Sequence, residues 1–570
     1  MGRSPADLVI AGGRLVNVHT REVHDDVDVA VVDGRVAMFG DAAHTRGADT
    51  ELIDAEGAFL VPGLVDTHLH VESAMVTVTR FAEAVVPHGT TTAVIDNHEI
   101  ANVFGLRGMR WMLDEASSLP LRVLLAVPSC VPALPAFEDA GAVLGPDEIA
   151  EALAWPEAAA LGEMMNMPAV IGSDATVHRT IAAAAAAGKP ATGHWSLAGW
   201  RDHRLHAYAA SGVDSDHESV FREDALAKLR AGMWVQFRES SAWRNVAELV
   251  RVLTEDRVDS RHCLICTDDV QPETLLEEGH LNRGVRVAID AGLDPLVAIQ
   301  LATVNAAEYI GRRHDLGSIA PGRFADILFV EDLRELRPHL VLAAGRRIEG
   351  DLPGRVYPDE AYASVRLPEL TAASFRVAAT GSRARVHAIG MVSAVLATEH
   401  RIVDVPVEAG EVRASRGLDL AKAASIERHG GPGTVGLGFV QGLGLARGAV
   451  ATTVAHDNHN LLVVGMSDDE MLFACERLRE AGGGMIAVAG GEVLGFVELP
   501  IAGLVSDRPV DEVAAQVRSL GQAYRRLGST LESPFMFVSL LSLGVIPALR
   551  LTNRGLVDGI SFELLPPLAA

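Results

Sequence analysis

The chain is poor in cysteine, in positive charge and in long apolar runs, and each shortage removes a class of function. Four cysteines (Cys130, Cys263, Cys266 and Cys475) in 570 residues cannot make the disulfide framework of a small secreted scaffold. Cys263 and Cys266 have the CxxC spacing of a redox or zinc pair, but they lie in the apolar run HCLIC and read as core. Lysine and arginine total 49 against 75 aspartates and glutamates, a net charge of −26. So acidic a chain repels polyanions, which argues against nucleic-acid binding. No stretch approaches the roughly 18 apolar residues of a membrane span, and the alanine run at 182–187 is far too short. The opening MGRSPADLV lacks the apolar centre of a secretory signal, and Ala6 breaks the myristoylation pattern. A soluble cytoplasmic enzyme without a membrane or nucleic-acid partner is the expectation.

Hydrophobic residues make up 49% of the chain, ample for several cores, and the length suggests about three or four domains, fewer if one is a barrel. Residues 7–60 read as short strands with turns at Gly12-Gly13 and Asp33-Gly34. A similar pattern returns at 316–350, after a long stretch of different character. The simplest account is one composite small β domain, 1–60 and 313–360, whose strands flank an inserted domain at 61–312. The insert alternates helical stretches with eight short apolar runs, at 64–70, 91–99, 122–129, 159–166, 190–196, 212–219, 233–240 and 262–269. That alternation predicts a (β/α)8 barrel, so the fold class is α/β. Residues 361–570 read as a separate C-terminal α/β domain, with strand-like runs at 374–379, 384–398, 449–454, 461–465 and 485–490 and helices near 468–481 and 510–527. Its polar run His456-Asp457-Asn458-His459-Asn460 has two readings: a hydrogen-bonded loop that holds the domain in place, or polar groups, even a further metal site, at the barrel mouth. The pieces GGPGTVGLG and AGGGM lack the strand and helix context of a nucleotide-binding loop.

In such a barrel the catalytic groups stand at the C-terminal strand ends. His68 and His70, two apart on the first strand, project to the same side and converge as a pair suited to a divalent transition metal. The second run ends in Asp96, His98 and Glu99, the fourth in Glu163, the fifth in His194 and the sixth in His217. The seventh ends in Arg238 and Glu239 and the eighth in Asp268-Asp269. A single histidine at such a place is an ordinary polar residue. Four histidines and two acids at matching ends of one barrel define a metal-dependent active site.

With these residues in place the barrel resembles the amidohydrolase superfamily and, within it, the bacterial and archaeal adenine deaminases. The resemblance rests on PGLVDTHLHVESAM (62–75), DNHEIANVFG (96–105), GEMMN (162–166), CTDD (266–269) and the long stretch 277–311. It continues through RGAVATTVAHDNHNLLVVG (447–465) and ELPIAGLVSD (498–507), so it spans almost the full chain. It implies two divalent metals on His68, His70, Glu163, His194, His217 and Asp268; the mixed histidine and carboxylate shell suits manganese or iron, with zinc compatible. The implied reaction is hydrolytic deamination of adenine to hypoxanthine and ammonia in purine salvage, by a hydroxide shared between the metals. Asp268 would take the proton of water and pass it to the leaving amine. Glu99 or Glu72 would protonate N1, and Asp269 would accept a hydrogen bond from the purine. Arg238 reads as the partner of a nearby acid rather than as a substrate contact.

The chain has three lysines, Lys189, Lys228 and Lys422, and none stands at the end of the fourth strand. A lysine carbamate is therefore excluded there, and Glu163 takes its place, with one oxygen available to each metal. Two positions depart from the family pattern. Asn97 replaces a usual proline, and Trp195-Ser196 replaces a small residue and proline beside His194, so Trp195 is expected to shape the substrate pocket. Two alternatives stay open: an amidohydrolase acting on another cyclic amidine or amide, and a noncatalytic barrel serving as an interaction scaffold. The expected partners are adenine and water, and a homo-oligomer is compatible with the sequence.

Overall fold

The computed structural model describes residues 4–196, 199, 201–348, 352–392, 398–531 and 533–570; parts of the 384–398 run and of the 313–360 segment therefore lie outside the described residues. The chain begins with β1 (Leu8–Asn17), β2 (Glu22–Val32), β3 (Arg35–Gly40), β4 (Glu51–Asp54) and β5 (Phe59–Pro62). β1 pairs antiparallel with β2 and parallel with β4 and β5. Val61 and Pro62, the first residues of the inserted domain expected from the sequence, instead finish β5. Gly63 then carries the chain into the barrel through a gap with no room for a side chain, since a Cβ there would lie 2.2 Å from Thr91 Oγ1.

The eight barrel strands follow as β6 (Leu64–Leu69), β7 (Thr90–Ile95), β8 (Arg122–Val127), β9 (Ala158–Met164), β10 (Ala191–Gly193), β11 (Ser215–Asp216), β12 (Trp234–Arg238) and β13 (Cys263–Cys266). Each pairs in parallel with the next. The ring closes where Leu69 bridges to Asp268 and the Asp268 N–H donates to the His68 carbonyl at 3.0 Å. The barrel expected from the sequence is thus present. Its strands are buried on both faces, which is why they read as nearly continuous apolar runs rather than alternating ones. The helix Val304–Tyr309 packs against Val65, Val94 and Leu264, and Tyr309 Oη reaches Ser215 Oγ at 2.7 Å from below.

After the barrel, β14 (Ile327–Val330), β15 (Pro338–Ala343) and β16 (Arg346–Arg347) return to the first sheet. β14 pairs antiparallel with β5, so two segments far apart in sequence share one sheet.

The C-terminal region builds a ten-stranded sheet between Val377 and Glu498, with the helix Asp468–Ala481 packed on it, and ends in a three-stranded sheet at 549–565. The 468–481 helix has its own punctuation. Ser467 Oγ accepts the Glu470 N–H, three acids occupy the first turn, and Gly482 ends it at φ 79°. This region lies over the open end of the barrel. Asn458 donates to Glu138 at 2.8 Å, Asn460 to the Asp139 carbonyl at 2.8 Å, and Arg554 pairs with Asp139. Cys130, Leu134 and Met165 of the barrel share an apolar cluster with Leu540, Leu543 and Val545. Among the described residues no helix is long and apolar enough to cross a membrane.

Candidate active site

Between the C-terminal ends of the barrel strands and the overlying domain lies a cavity. Its floor is His70, Glu163, His194, His217 and Asp268. Its walls include His98, Glu99, Glu218, Arg238 and Asp269, with Met165 and Trp243 as apolar surface. The roof comes from the C-terminal domain: His456, Asp457, Leu540, Leu543 and Ile546.

Glu163 is the junction of the floor. Oε1 lies 3.5 Å from His70 Nε2 and 3.8 Å from His98 Nδ1. Oε2 lies 2.5 Å from His194 Nδ1 and 3.4 Å from His217 Nε2. One carboxylate therefore faces two separate histidine groups with its two oxygens. Asp268 sits on the first side, with Oδ1 3.3 Å from His70 Nε2 and 3.9 Å from His68 Nε2. The main chain prepares these ligands. His70 Nδ1 donates to the Asp96 carbonyl at 2.7 Å, which fixes the ring with Nε2 turned to Asp268 and Glu163. Asp96 Oδ2 accepts the Glu163 N–H at 2.8 Å, and the His194 N–H donates to Tyr208 Oη at 2.9 Å.

Three observations fit this set to divalent ions. Both ring nitrogens of His68, Nδ1 of His217 and Oδ1 of Asp96 are buried without a hydrogen-bond partner, a cost that a bound ion would remove for the ligand atoms. His68, His70 and Glu163 bring one donor atom each within 4.8 Å of the others, as do His68, His217 and Asp268, and Glu163, His194 and His217. The charge states of three ligands also suit, while at His70 and His194 burial is outweighed by neighbouring carboxylates, which raise both imidazoles, His194 to about 9, so these two hold protons that an ion would displace. Burial, then His217 and His70, hold the His68 imidazole well below its ordinary value, so it stays neutral. Burial works against ionising Glu163, but His194 and His217 outweigh it and hold the carboxyl well below the usual range. Burial likewise opposes the charge on Asp268, and His70 and Arg238 overcome it.

The remaining acids are tuned the other way. Burial, then the neighbouring Glu99, push the Glu72 carboxyl up to about 8. Burial raises Glu99, and burial with Asp268 raises Asp269. Ser73 Oγ stands between the last two, 3.4 Å from Glu99 Oε1 and donating to Asp269 Oδ1. Glu72 lies behind Glu99, accepts the Ile100 N–H at 3.2 Å and does not line the cavity.

One further sequence expectation changes here. Trp195 does not line the cavity. It is fully buried against Tyr208, with ring centroids 5.0 Å apart, because Asp216 takes its N–H and Lys228 Nζ donates to its carbonyl. Arg238 pairs with Glu218 and, at 3.0 Å, with Asp268, as the partner reading has it, and its Nε and Nη2 are buried without a hydrogen-bond partner. His98 stands in the expected strand-end cluster but carried no assigned role. Its place in the first turn of the His98–Ala116 helix, immediately after β7, was the available signal. The roof residues gave no such signal except the polar run 456–460.

A closed parallel barrel with histidines and carboxylates gathered at the ends of its first, fourth, fifth, sixth and eighth strands is the architecture of a metal-dependent hydrolase. Residues 59–348 match the amidohydrolase family, and residues 395–563 match the adenine deaminase C-terminal domain. Curated relatives match over the whole chain. An adenine deaminase of Moorella thermoacetica is 52% identical, covering 99% of this chain and 96% of its own. One from Clostridium botulinum is 45% identical over 99% and 95%, and adenine deaminase 3 of Rhizobium meliloti is 46% identical over 99% and 96%. The chain belongs to the adenine deaminases of the amidohydrolase family.

Proposed function

We propose that this protein deaminates adenine to hypoxanthine and ammonia, as a step of purine salvage in the cytoplasm. The observation that carries the reading is the Glu163 carboxylate, set between two histidine groups at the floor of a roofed cavity. The full-length identity to adenine deaminases supports the choice of substrate.

Two divalent ions would be held by His68, His70 and Asp268 on one side and by His194 and His217 on the other, with Glu163 shared. Manganese or iron suits these donors, and zinc is compatible. Ions so held acidify water and offset the charge that develops during attack on the purine. Asp268 is ionised and lines the cavity floor, so it takes a proton from the attacking water. As the water oxygen bonds to C6, N1 gains a proton. Glu99 is the acid for that transfer: it lines the cavity, and burial keeps its proton on to higher pH. Glu72, behind it, stays protonated and spares Glu99 a second buried negative charge. Asp268 then gives its proton to the amine as the C6–N bond breaks. The remaining hydroxyl proton returns to Glu99, which leaves the C6 carbonyl and N1–H of hypoxanthine. Asp269, on the cavity wall, accepts a hydrogen bond from a ring N–H.

The test is ammonia release from a panel of adenine, adenosine, guanine and cytosine by manganese-loaded protein, with products identified by chromatography. Adenine should be the best substrate and hypoxanthine its product. Rapid turnover of another cyclic amidine with adenine untouched would replace this reading by a different aminohydrolase.

A further inference from the structure

The roof of the cavity is not a passive cover. His456 and Asp457 belong to the C-terminal domain, yet their side chains meet the two barrel residues that open the His98–Ala116 helix. His456 Nδ1 lies 3.7 Å from Glu99 Oε1 and 3.5 Å from Asp457 Oδ1. Asp457 Oδ1 lies 3.5 Å from His98 Nε2, while His98 Nδ1 faces Asp96 at 3.5 Å and Glu163 at 3.8 Å. We propose that His456 and Asp457 are positioning residues of the active site: His456 is the counter-charge that sets the Glu99 carboxyl for proton delivery, and Asp457 fixes His98 against Glu163. The kinetic side of this rests on the deaminase reading above.

The dipeptide is held firmly enough for that work. The His456 N–H donates to the Ser539 carbonyl at 3.0 Å, and Ser542 Oγ donates to the His456 carbonyl at 3.0 Å. Two residues on, Asn458 is tied to Glu138 of the barrel at 2.8 Å. All four interacting side chains are buried. A buried carboxylate needs a partner charge, since the low-dielectric interior does not solvate it. For Glu99 the groups that act are His456 first, then His98, Asp269 and His70, with Glu72 coupled to it from behind. For Asp457 they are His456 and His98. The cations that face both acids are thus imidazoles, one on the barrel and one on the roof. Burial alone would lower His456, but Glu99 and Asp457 raise it to about 9, so it remains charged at neutral pH.

The experiment compares the unaltered chain with His456→Gln, His456→Lys, Asp457→Asn and Asp457→Glu, each checked by melting curve and metal analysis. Removing the imidazolium raises the pKa of Glu99, because its ionised form loses a partner. A protonated Glu99 is the donor, so the alkaline limb of the kcat/KM profile should move to higher pH in His456→Gln. The weaker acid should cost about 10-fold in kcat, with KM changed by less than about 3-fold. His456→Lys restores a cation and should return the limb towards its original place. Asp457→Asn should lower kcat by a similar factor without loss of metal, and Asp457→Glu should recover part of it. If Gln at 456 does not fold, the two Asp457 variants decide the matter alone. Folded variants within twofold of the original kcat and with an unmoved limb would reduce the pair to an interdomain brace. A third metal equivalent in the original chain that either variant loses would make the group a cation site instead, and would also overturn the proposal. Absence of adenine turnover in the original chain is a different failure, of the deaminase reading; the same variants would then be compared on the substrate the panel identifies.

Discussion

At position 163 the requirement is two oxygens at one strand end, and a glutamate supplies them on a shorter stem than a lysine carbamate would. Gly162 brings β9 against Asp96, where a Cβ would meet Oδ2 at 2.3 Å, and the same oxygen accepts the Glu163 N–H. If Glu163 is shared between two ions, Glu163→Ala removes an oxygen from each. The variant should fold but retain about one metal per chain rather than about two, and turnover should collapse. Elemental analysis beside a melting curve checks this, and a folded variant with both metals and normal turnover would make Glu163 a structural acid only. The candidate ligands were legible in the sequence because strand ends are: a period of two places His68 and His70 together, and a strand-end rule places the others. Trp195 was not legible. Its neighbour His194 reaches the cavity while Trp195 turns inward, and what turns it is the hold of Asp216 and Lys228 on its backbone, which belongs to the next strand and helix.

β10 and β11, with three and two residues, are the shortest strands of the barrel, so the ends that carry His194 and His217 have little ladder of their own. A buried ion pair takes its place. Lys228, from the helix Arg222–Arg230, bonds Asp216, the Trp195 carbonyl and, at 2.9 Å, Ser219 Oγ, while Asp216 accepts the N–H of Trp195 and of Glu218. Lys228→Met keeps the volume but leaves the Asp216 charge alone in the interior, at a cost of about 3–5 kcal/mol. Denaturant unfolding should register that loss, and metal titration should show weaker binding of one equivalent, that held by His194 and His217. Unchanged stability and unchanged titration would remove the clamp from the account. At this scale the alternation of strand and helix was legible, since strands buried on both faces announce themselves as short apolar runs. The exception is Val61-Pro62. The inserted domain was expected to begin at Val61, and pairing with β14, from far along the chain, instead makes these two residues the end of β5.

The whole molecule adds what neither residues nor strands contain, a cavity closed by a second domain. Glu138 and Asn458 meet across 320 residues of sequence, and Leu540 and Leu543 pack on Leu134 and Met165. Contacts of that range leave no periodic trace, so the sequence could delimit a C-terminal domain and offer its 456–460 run as a docking loop or as polar groups at the barrel mouth without deciding between them. The enclosed geometry makes one demand of the entire assembly: the floor must carry its ions for the acids above it to act on a purine. The direct measurement is hypoxanthine formed from adenine by protein stripped of metal and then reloaded with Mn2+, with metal content determined on the same samples. No turnover is expected in the stripped protein, with recovery as loading approaches about two ions per chain. Full-rate turnover by verified metal-free protein, or two bound ions with no hypoxanthine, would contradict it.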